Sequence, residues 1–513
     1  MKNQLKAGAV LQYLQMALQI IVNLVFTPVM IRILGDNEYG IYSLASSIIS
    51  YLNLLTLGFG ASYIRFYSVR KAEGDVEGVK RLNGLYLLVF SFLGLIALIA
   101  GLAIAFNVGI FFNKTYTAHD LEIARILMFF LAFNLAISFP ACVFTSYITS
   151  QEKFVFQKLV NMGKTVLSPC LSIVFLFLGY GSIGMVVVTT FTSLVIDVIN
   201  ISFCIGKLKM RFSLRHPDLH LLKDIAIFSV FIAINQIVDQ INWQTGKLVL
   251  GKMISATAVA IYAVGSNINT MYISFSTAIS GVFAPRINRL ISEKPEGWID
   301  EINRLFQRVG RIQFLILGLI LSGFIFFGQY FISIWAGEGY ELSYYIALLL
   351  ICPATISLIQ NIGIEIQRAR NKHQFRSIAY LIMALINVGL SILFCYLWGT
   401  VGTAIGTAIS IIVANGFIMN IYYRKRLDMK IGQFWWQIIK ILPGMILPVA
   451  MGVLLMNFVE ITSIWMFLGL VLAYTVIYCI SMWLFGMNRS EKELVLTPLR
   501  KIIRRRSHDK NQR

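Results

Sequence analysis

Long apolar segments separated by short polar ones make up most of the chain. A helix needs about 20 apolar residues to cross a bilayer core about 30 Å thick. Scanning with that length predicts fourteen spanning helices, with approximate bounds 8–33, 41–66, 84–107, 121–148, 156–178, 182–206, 222–250, 258–283, 312–333, 343–366, 377–397, 400–423, 437–457 and 462–485. The segments are continuous and do not alternate over about ten residues, so they predict helices and not a barrel.

The pattern of the first half recurs in the second half. Ile41-Tyr42 is matched by Ile261-Tyr262, and Tyr180-Gly181 is matched by Trp398-Gly399. Two similar apolar halves enclosing a polar site are typical of secondary transporters. The sequence therefore predicts an all-α polytopic membrane protein of two pseudo-symmetric six-helix lobes. The predicted parts are an N-terminal lobe (1–206), a cytoplasmic linker (207–221), a C-terminal lobe (222–423), an extra helix pair (437–485) and a basic cytoplasmic tail (486–513).

Polar residues inside the predicted spans mark a candidate cavity, because an unpaired charge at mid-bilayer costs at least about 2.5–3.5 kcal/mol and must face protein or water. The seventh span has the most such residues, at helical spacing: Asn235, Gln236, Asp239, Gln240, Asn242, Trp243 and Lys247. The first span carries an equivalent stripe of Gln12, Gln15, Gln19, Asn23 and Thr27. The two halves are thus expected to present matching polar faces.

Further candidates for the cavity lie on neighbouring spans or near span ends. They are Arg32, Asn53, Arg65, Lys164, Asn267 and Thr270. Cations among them would suit a phosphate-bearing cargo, since Arg and Lys bind phosphate by charge-assisted hydrogen bonds. The amides and hydroxyls have a second interpretation, as hydrogen-bonding groups that hold the helices together.

Composition supports a chain dissolved in lipid: 58% of its 513 residues are hydrophobic and 13% are charged. The net charge of +20 is explained by basic residues clustered in alternate loops and in the tail. Basic loops stay cytoplasmic, so both termini are predicted to be cytoplasmic and nucleic-acid binding is not expected. No metal ligands or nucleophile–base sets at recognised spacing point to an enzyme, and no cofactor is expected.

Short motifs near the N-terminus resemble a known family. They are Ile31-Arg32-Ile33-Leu34-Gly35, Glu38-Tyr39-Gly40-Ile41-Tyr42, Leu57-Gly58-Phe59-Gly60 and Arg65-Phe66-Tyr67. In these motifs, and in length, span count and duplication, the chain resembles the Wzx-type polysaccharide biosynthesis flippases of the multidrug/oligosaccharidyl-lipid/polysaccharide exporter superfamily. The resemblance implies two six-helix lobes around a central cavity lined by segments 1, 2, 7 and 8.

The same resemblance implies a function. It is flipping of an undecaprenyl-diphosphate-linked oligosaccharide from the cytoplasmic to the outer leaflet of the bacterial inner membrane, by alternating access, for cell-surface polysaccharides such as O-antigen. The expected partners are this lipid-linked substrate, membrane lipids, and the polysaccharide polymerase and chain-length machinery. Asp239 is the candidate for coupling to a proton or sodium gradient, beside the membrane potential. Two alternatives remain open: a multidrug cation exporter of the same superfamily, and a membrane enzyme of glycan assembly.

Overall fold

In a computed structural model of the chain, the described residues are 2–56, 59–112, 115–213, 219–370, 372, 374–494 and 496–497. All regular secondary structure in these ranges is helical. The α-helices are α1 (Lys2–Ser50), α2 (Phe59–Ala72), α3 (Val76–Phe106), α4 (Ala118–Ser150), α5 (Phe154–Phe177), α6 (Gly181–Ser202), α7 (Leu219–Met253), α8 (Ala256–Glu293), α9 (Trp298–Trp335), α10 (Glu341–Leu358), α11 (Ile362–Ala369), α12 (Gln374–Ile411), α13 (Met419–Arg426), α14 (Ile431–Ile439), α15 (Pro443–Phe458) and α16 (Ile464–Ser481). This confirms the predicted all-α class.

Nine helices among the described residues are long and apolar enough to cross a membrane, or ten if the bent pair α14–α15 is one span. Two of the nine contain a backbone break, at Gly35 in α1 and at Trp398–Gly399 in α12. Both breaks fall where the sequence predicts a loop between two spans. The molecule is therefore a multi-pass membrane protein, and the count of fourteen spans stays a prediction.

Three predicted spans are less regular than expected. The second, 41–66, passes from α1 into a 3-10 segment (Tyr51–Thr56) before α2 begins, and residues 57 and 58 lie outside the described part. The tenth, 343–366, is divided between α10 and α11. The thirteenth bends by 45° between α14 and α15, where Pro443 begins the second helix with its fixed φ angle.

The internal repeat is visible in the backbone. Gly181 begins α6 with a φ of 57°, and its partner in the repeat, Gly399, has a φ of 60° at the break in α12. Side chains rarely adopt this conformation, so glycine recurs where each half reverses direction. Three residues later, a Cβ on Gly402 would lie 1.9 Å from the carbonyl oxygen of Phe394, so the chain leaving the turn packs closely against the helix that entered it.

The chain divides into two compact units. The first contains Met1–Ile268, Trp335–Leu350 and Gln374–Ser410, and the second contains Asn269–Ile334, Ile351–His373 and Ile411–Arg513. The core of the first unit is formed by buried side chains of α1, α4, α7 and α8, among them Leu44, Leu127, Leu250 and Val259. The predicted lobes follow the sequence repeat, and that division stays a prediction.

The second unit has its own core and a buried ion pair. Phe306 and Phe434 pack with ring centroids 4.6 Å apart. Arg311 of α9 donates from Nε to Glu491 Oε1 at 2.6 Å, and the exposed fractions of the two side chains are 5% and 1%. Glu491 lies after α16, so this ion pair attaches the segment that follows α16 to α9.

Candidate functional site

One face of α7 is bonded to α12 within the first unit. Asn235 Nδ2 donates to Ser377 Oγ at 3.1 Å, and Asn387 Nδ2 donates to Asn242 Oδ1 at 3.2 Å. Ser391 Oγ in turn donates to Asn387 Oδ1 at 3.1 Å. Asn387 and Ser391 are fully buried. Since buried amides are costly unless they are paired, these bonds fix the position of α7 against α12.

A second face of α7 meets the region where α1 passes into its 3-10 segment. Gln240 Nε2 donates to Ser50 Oγ, and Thr56 Oγ1 lies 3.5 Å from Gln236 Oε1. Gln236 and Gln240 are one helical turn apart, so their side chains share a face. These contacts join the polar residues of the seventh predicted span to the second span of the other predicted lobe.

Asp239 lies between two of these contacts. It follows Asn235 by four residues and precedes Asn242 by three, so all three lie on one stripe of α7. Asn235 and Asn242 bond to α12, whereas Asp239 is exposed. Trp243 and Lys247 are half-buried. The stripe therefore presents an accessible carboxylate on a helix that is held on either side of it.

Arg376 lies near this stripe and was not among the cavity residues predicted from the sequence. It is half-buried near the start of α12, and its guanidinium carbon lies 4.7 Å from the centroid of the Tyr380 ring. The next residue, Ser377, bonds to Asn235. The cationic Arg376 is thus adjacent in sequence to the residue that bonds to Asn235, which is known only from the packing of α12 against α7.

The polar stripe of the first span meets α5. Gln19 Nε2 donates to Asn23 Oδ1 at 3.1 Å, and Thr165 Oγ1 of α5 lies 3.4 Å from Gln19 Oε1. Lys164, beside Thr165, is half-buried and its charge interacts with that of Asp197 on α6. Thr165 thus joins α5 to the amides of the first span, and the neighbouring Lys164 interacts with α6.

The remaining predicted site residues differ in exposure. Gln12, Arg32, Asn53, Arg65 and Thr270 are exposed, Gln15 and Asn267 are half-buried, and Thr27 is buried with 5% of its surface exposed. Arg65 lies over the ring of its neighbour Phe66, at 6.0 Å from the centroid. The role of these residues in a cavity stays a prediction.

The break at Gly35 organises one end of the first unit. We call residues 35–39 the Gly35 turn. Asn37 Nδ2 donates to Asp120 Oδ1 at 2.8 Å, near the start of α4. Glu38 Oε1 accepts from the backbone N–H and the hydroxyl of Ser182, both at 2.6 Å, in the first turn of α6. A carboxylate at a helix N-terminus is favoured by the helix dipole, so Glu38 ties the turn firmly to α6.

The same end is closed by tight packing between α1 and the α7–α8 junction. A Cβ on Gly40 would lie 2.0 Å from the carbonyl oxygen of Ala256, and one on Gly251 would lie 2.4 Å from Leu44 Cδ2. In membranes small residues allow such close helix approaches, which are stabilised by van der Waals contact. Asn267 Nδ2 adds a hydrogen bond to Tyr39 Oη at 3.3 Å. We call this set of contacts the Gly35 seal.

A family model described as "Polysaccharide biosynthesis protein" matches residues 5–291. The uncharacterized membrane protein EpsK of Bacillus subtilis (strain 168) is 24% identical over 505 residues, which cover 94% of this chain and 96% of EpsK. A putative O-antigen transporter of Shigella flexneri is 22% identical over 410 residues, covering 77% and 91% of the two chains.

Two groups of solved structures share the fold. An inward closed structure of the lipid II flippase MurJ aligns with a TM-score of 0.69 at 16% identity, covering 93% of this chain and 98% of that one. An inward-facing transporter of the multidrug resistance MATE family aligns with a TM-score of 0.59 at 16% identity, covering 83% and 99%. At this level of identity the likeness establishes the fold.

Proposed function

The chain belongs to the polysaccharide biosynthesis protein family, and from this membership we propose that it is a flippase of lipid-linked oligosaccharides. Its cargo is an undecaprenyl-diphosphate-linked oligosaccharide, moved from the cytoplasmic to the outer leaflet of a bacterial inner membrane. In this proposal the chain is not an enzyme, and the product serves assembly of a cell-surface polysaccharide such as O-antigen. The similarity to a putative O-antigen transporter and the fold shared with a lipid II flippase support this proposal.

The observation that carries the proposal is the polar stripe of α7. Two amides of the stripe are bonded to α12, and an exposed carboxylate, Asp239, lies between them. A helix in a membrane protein keeps an accessible charge only where protein or water compensates for the cost of burying it in hydrocarbon. Such a wet face suits a sugar headgroup, whose hydroxyls need hydrogen-bonding partners along the way.

We infer an alternating-access cycle from the Gly35 seal. The turn carries acids and few basic residues, so the positive-inside rule assigns it to the outer side, with both termini in the cytoplasm. Closure at that end suits a state that accepts cargo from the cytoplasmic leaflet. Export then requires the contacts of Gly40 with Ala256 and of Leu44 with Gly251 to separate. The two predicted six-helix lobes would move apart at this end while the cargo's lipid tail stays in the bilayer.

Charge contributes to both binding and direction. In the proposal Lys164 and Arg376 attract the diphosphate, because Lys and Arg form charge-assisted hydrogen bonds with phosphate. An inside-negative potential favours outward movement of negative charge by about 2.3 kcal/mol per charge per 100 mV. Two charges thus gain about 4.6 kcal/mol at 100 mV. Asp239 would add a coupled inward proton or sodium ion.

The proposal is tested by locating the cargo. Depletion of the protein should make a lipid-linked glycan accumulate in the inner leaflet, with its sugars identified by mass spectrometry. Asp239→Asn should slow export and change its dependence on pH or sodium, whereas Asp300→Asn, which removes an exposed carboxylate paired with Lys430, should not. If depletion leaves the glycan distribution unchanged and instead raises sensitivity to cationic drugs, the cargo is a drug and not a glycan. If Asp239→Asn exports normally with unchanged ion dependence, Asp239 has no coupling role.

A further inference from the structure

A cavity of about 460 Å³ lies where α5 begins and the π-helical turn after α6 (Phe203–Lys207) ends. It is lined by two lysines, Lys153 and Lys207, and by apolar side chains that include Val155, Phe156, Leu159 and Phe203. None of the residues placed in the α7 stripe, the α1–α5 contact or the Gly35 seal lines it. The cavity is therefore separate from the proposed transport site.

The apolar wall of this cavity is formed largely by two stacked aromatic rings and a leucine. The rings of Phe156 and Phe203 stack with centroids 3.7 Å apart and planes at 10°. Leu159, one helical turn after Val155, is 54% exposed. The ammonium of Lys207 lies 5.8 Å from the centroid of Phe203, so the charge stands beside the aromatic surface. The site thus joins a flat apolar surface to a cation.

The polar wall is entirely basic. Every lining residue is described, and none is an acid. The start of α5 adds to this charge, because its first turn contains no acidic residue and Lys153 provides no side-chain cap for the free N–H groups. A second cavity of about 350 Å³, between α8 and α9, differs in this respect, since Arg286 there is paired with Glu301.

An anion with an apolar tail fits both walls. The cavity lies at the ends of two hydrophobic helices, Phe154–Phe177 and Gly181–Lys207, both long enough to span the bilayer. Helix ends of this kind lie near the lipid headgroups, where each basic residue attracts anionic lipid by about 1 kcal/mol. A free phosphate ion would use the lysines and leave the apolar wall uncovered.

We propose that this cavity binds one anionic phospholipid, with its phosphate between Lys153 and Lys207 and an acyl chain along Leu159 and the Phe156–Phe203 stack. The occupant is a bilayer lipid held at a fixed position, not the transported cargo. Such a lipid would join the start of α5 to the end of α6, two helices that pack against each other in the first unit.

Native mass spectrometry of the delipidated full-length protein tests the proposal. The protein is titrated with phosphatidylglycerol and, separately, with phosphatidylcholine of the same acyl chains. The variant Lys153→Gln/Lys207→Gln is compared with Lys209→Gln/Lys223→Gln, which removes two exposed lysines outside the cavity. We expect one saturable phosphatidylglycerol site in the wild type and the control. Loss of both cavity lysines should weaken phosphatidylglycerol binding about 25-fold, because each lysine contributes about 1 kcal/mol to the attraction.

Three results would overturn the proposal. Equal weakening in both double variants would mean that only overall charge matters. Equal binding of phosphatidylcholine would remove the role of the anion. Displacement of phosphatidylglycerol by millimolar inorganic phosphate would mean that the apolar wall contributes nothing. Leu159→Gln adds a check on the tail, since it should weaken lipid binding without changing the charge. All lysine variants replace half-buried or exposed side chains, so folding should be unaffected, which elution on size exclusion verifies.

Discussion

Removing one partner of the buried ion pair between Arg311 and Glu491 should strongly destabilise the second unit. Besides Glu491, Arg311 donates to the carbonyl oxygens of Gln437 at 2.5 Å and Gly486 at 2.8 Å. Glu491 Oε2 also accepts from the backbone N–H of Asn488 at 2.9 Å. One guanidinium thus connects α9 to the end of α14 and to the chain after α16.

Arg311→Met removes every hydrogen bond that the guanidinium donates and leaves the Glu491 carboxylate buried without its cation. Breaking a buried pair in this way costs about 3–5 kcal/mol. The matched control is Arg286→Met, which breaks an exposed pair with Glu301 whose side chains are 55% and 41% exposed. Exposed pairs contribute about 0–1 kcal/mol. The double variant Arg311→Met/Glu491→Leu should recover most of the loss, because it removes both charges from the low-dielectric interior.

The free energy of unfolding is measured by titrating the purified protein with sodium dodecyl sulfate in mixed micelles, followed by tryptophan fluorescence. Trypsin provides a second measurement, because loosening of this segment should speed cleavage at Arg489 and Lys492. The reasoning is refuted if Arg311→Met costs no more than Arg286→Met. It is also refuted if the double variant loses the sum of the losses of Arg311→Met alone and Glu491→Leu alone, since additivity would mean that the two residues do not interact.

The remaining predictions concern glycines and the Gly35 turn. Gly40→Ala should prevent closure of the Gly35 seal, because its Cβ would lie 2.0 Å from the Ala256 carbonyl oxygen. Export should fall, and cysteines introduced near the seal should react with an impermeant maleimide. Labelling equal to that of the wild type would contradict the prediction. Gly399→Ala should lower the free energy of unfolding by about 1–3 kcal/mol, because its φ of 60° and ψ of −137° lie in a region that residues with a Cβ rarely adopt. Gly389→Ala, in open helical surface, should raise the free energy of unfolding by up to about 1 kcal/mol. Equal effects of the two substitutions would contradict the backbone argument. Glu38→Gln should weaken the contact to the first turn of α6 by about 1 kcal/mol or more, measured as faster maleimide labelling at that end, and a labelling rate equal to the wild type would exclude a role in the seal.

The helical class and the turns of the repeat could be predicted because they depend on local features. Apolar length predicts spans, and glycine at Gly181 and Gly399 marks the positions where φ becomes positive. The interruption after Ser50 was not predicted, because hydropathy is the same in an α-helix and a 3-10 segment. Most of Tyr51–Thr56 is apolar, and the sequence gives no sign of the bonds that Tyr51 and Thr56 form with Thr245 and Gln236 of α7.

Charges in loops were the least predictable part, because their partners lie far away in sequence. The sequence interpretation gave neither Glu38 nor Arg311 a partner. The structure places Glu38 against Ser182, 144 residues further along, and Arg311 against Glu491, 180 residues further along. Counting basic residues in loops predicts the side of the membrane on which each loop lies, but it does not predict which residue a charged side chain contacts. The pairing depends on which helix ends meet, and that is decided by the packing of the whole unit.

The stripe on α7 separates what periodicity can and cannot establish. Helical spacing places Asn235, Asp239 and Asn242 on one face of α7. Spacing alone does not tell which of these polar side chains bonds to a neighbouring helix and which is exposed, because all are polar at the same interval. The distinction comes from α12, where Ser377 and Asn387 stand opposite the two amides. Two amides of the stripe thus hold α7 against α12, and the role of the exposed Asp239 toward an ion or a cargo stays a prediction.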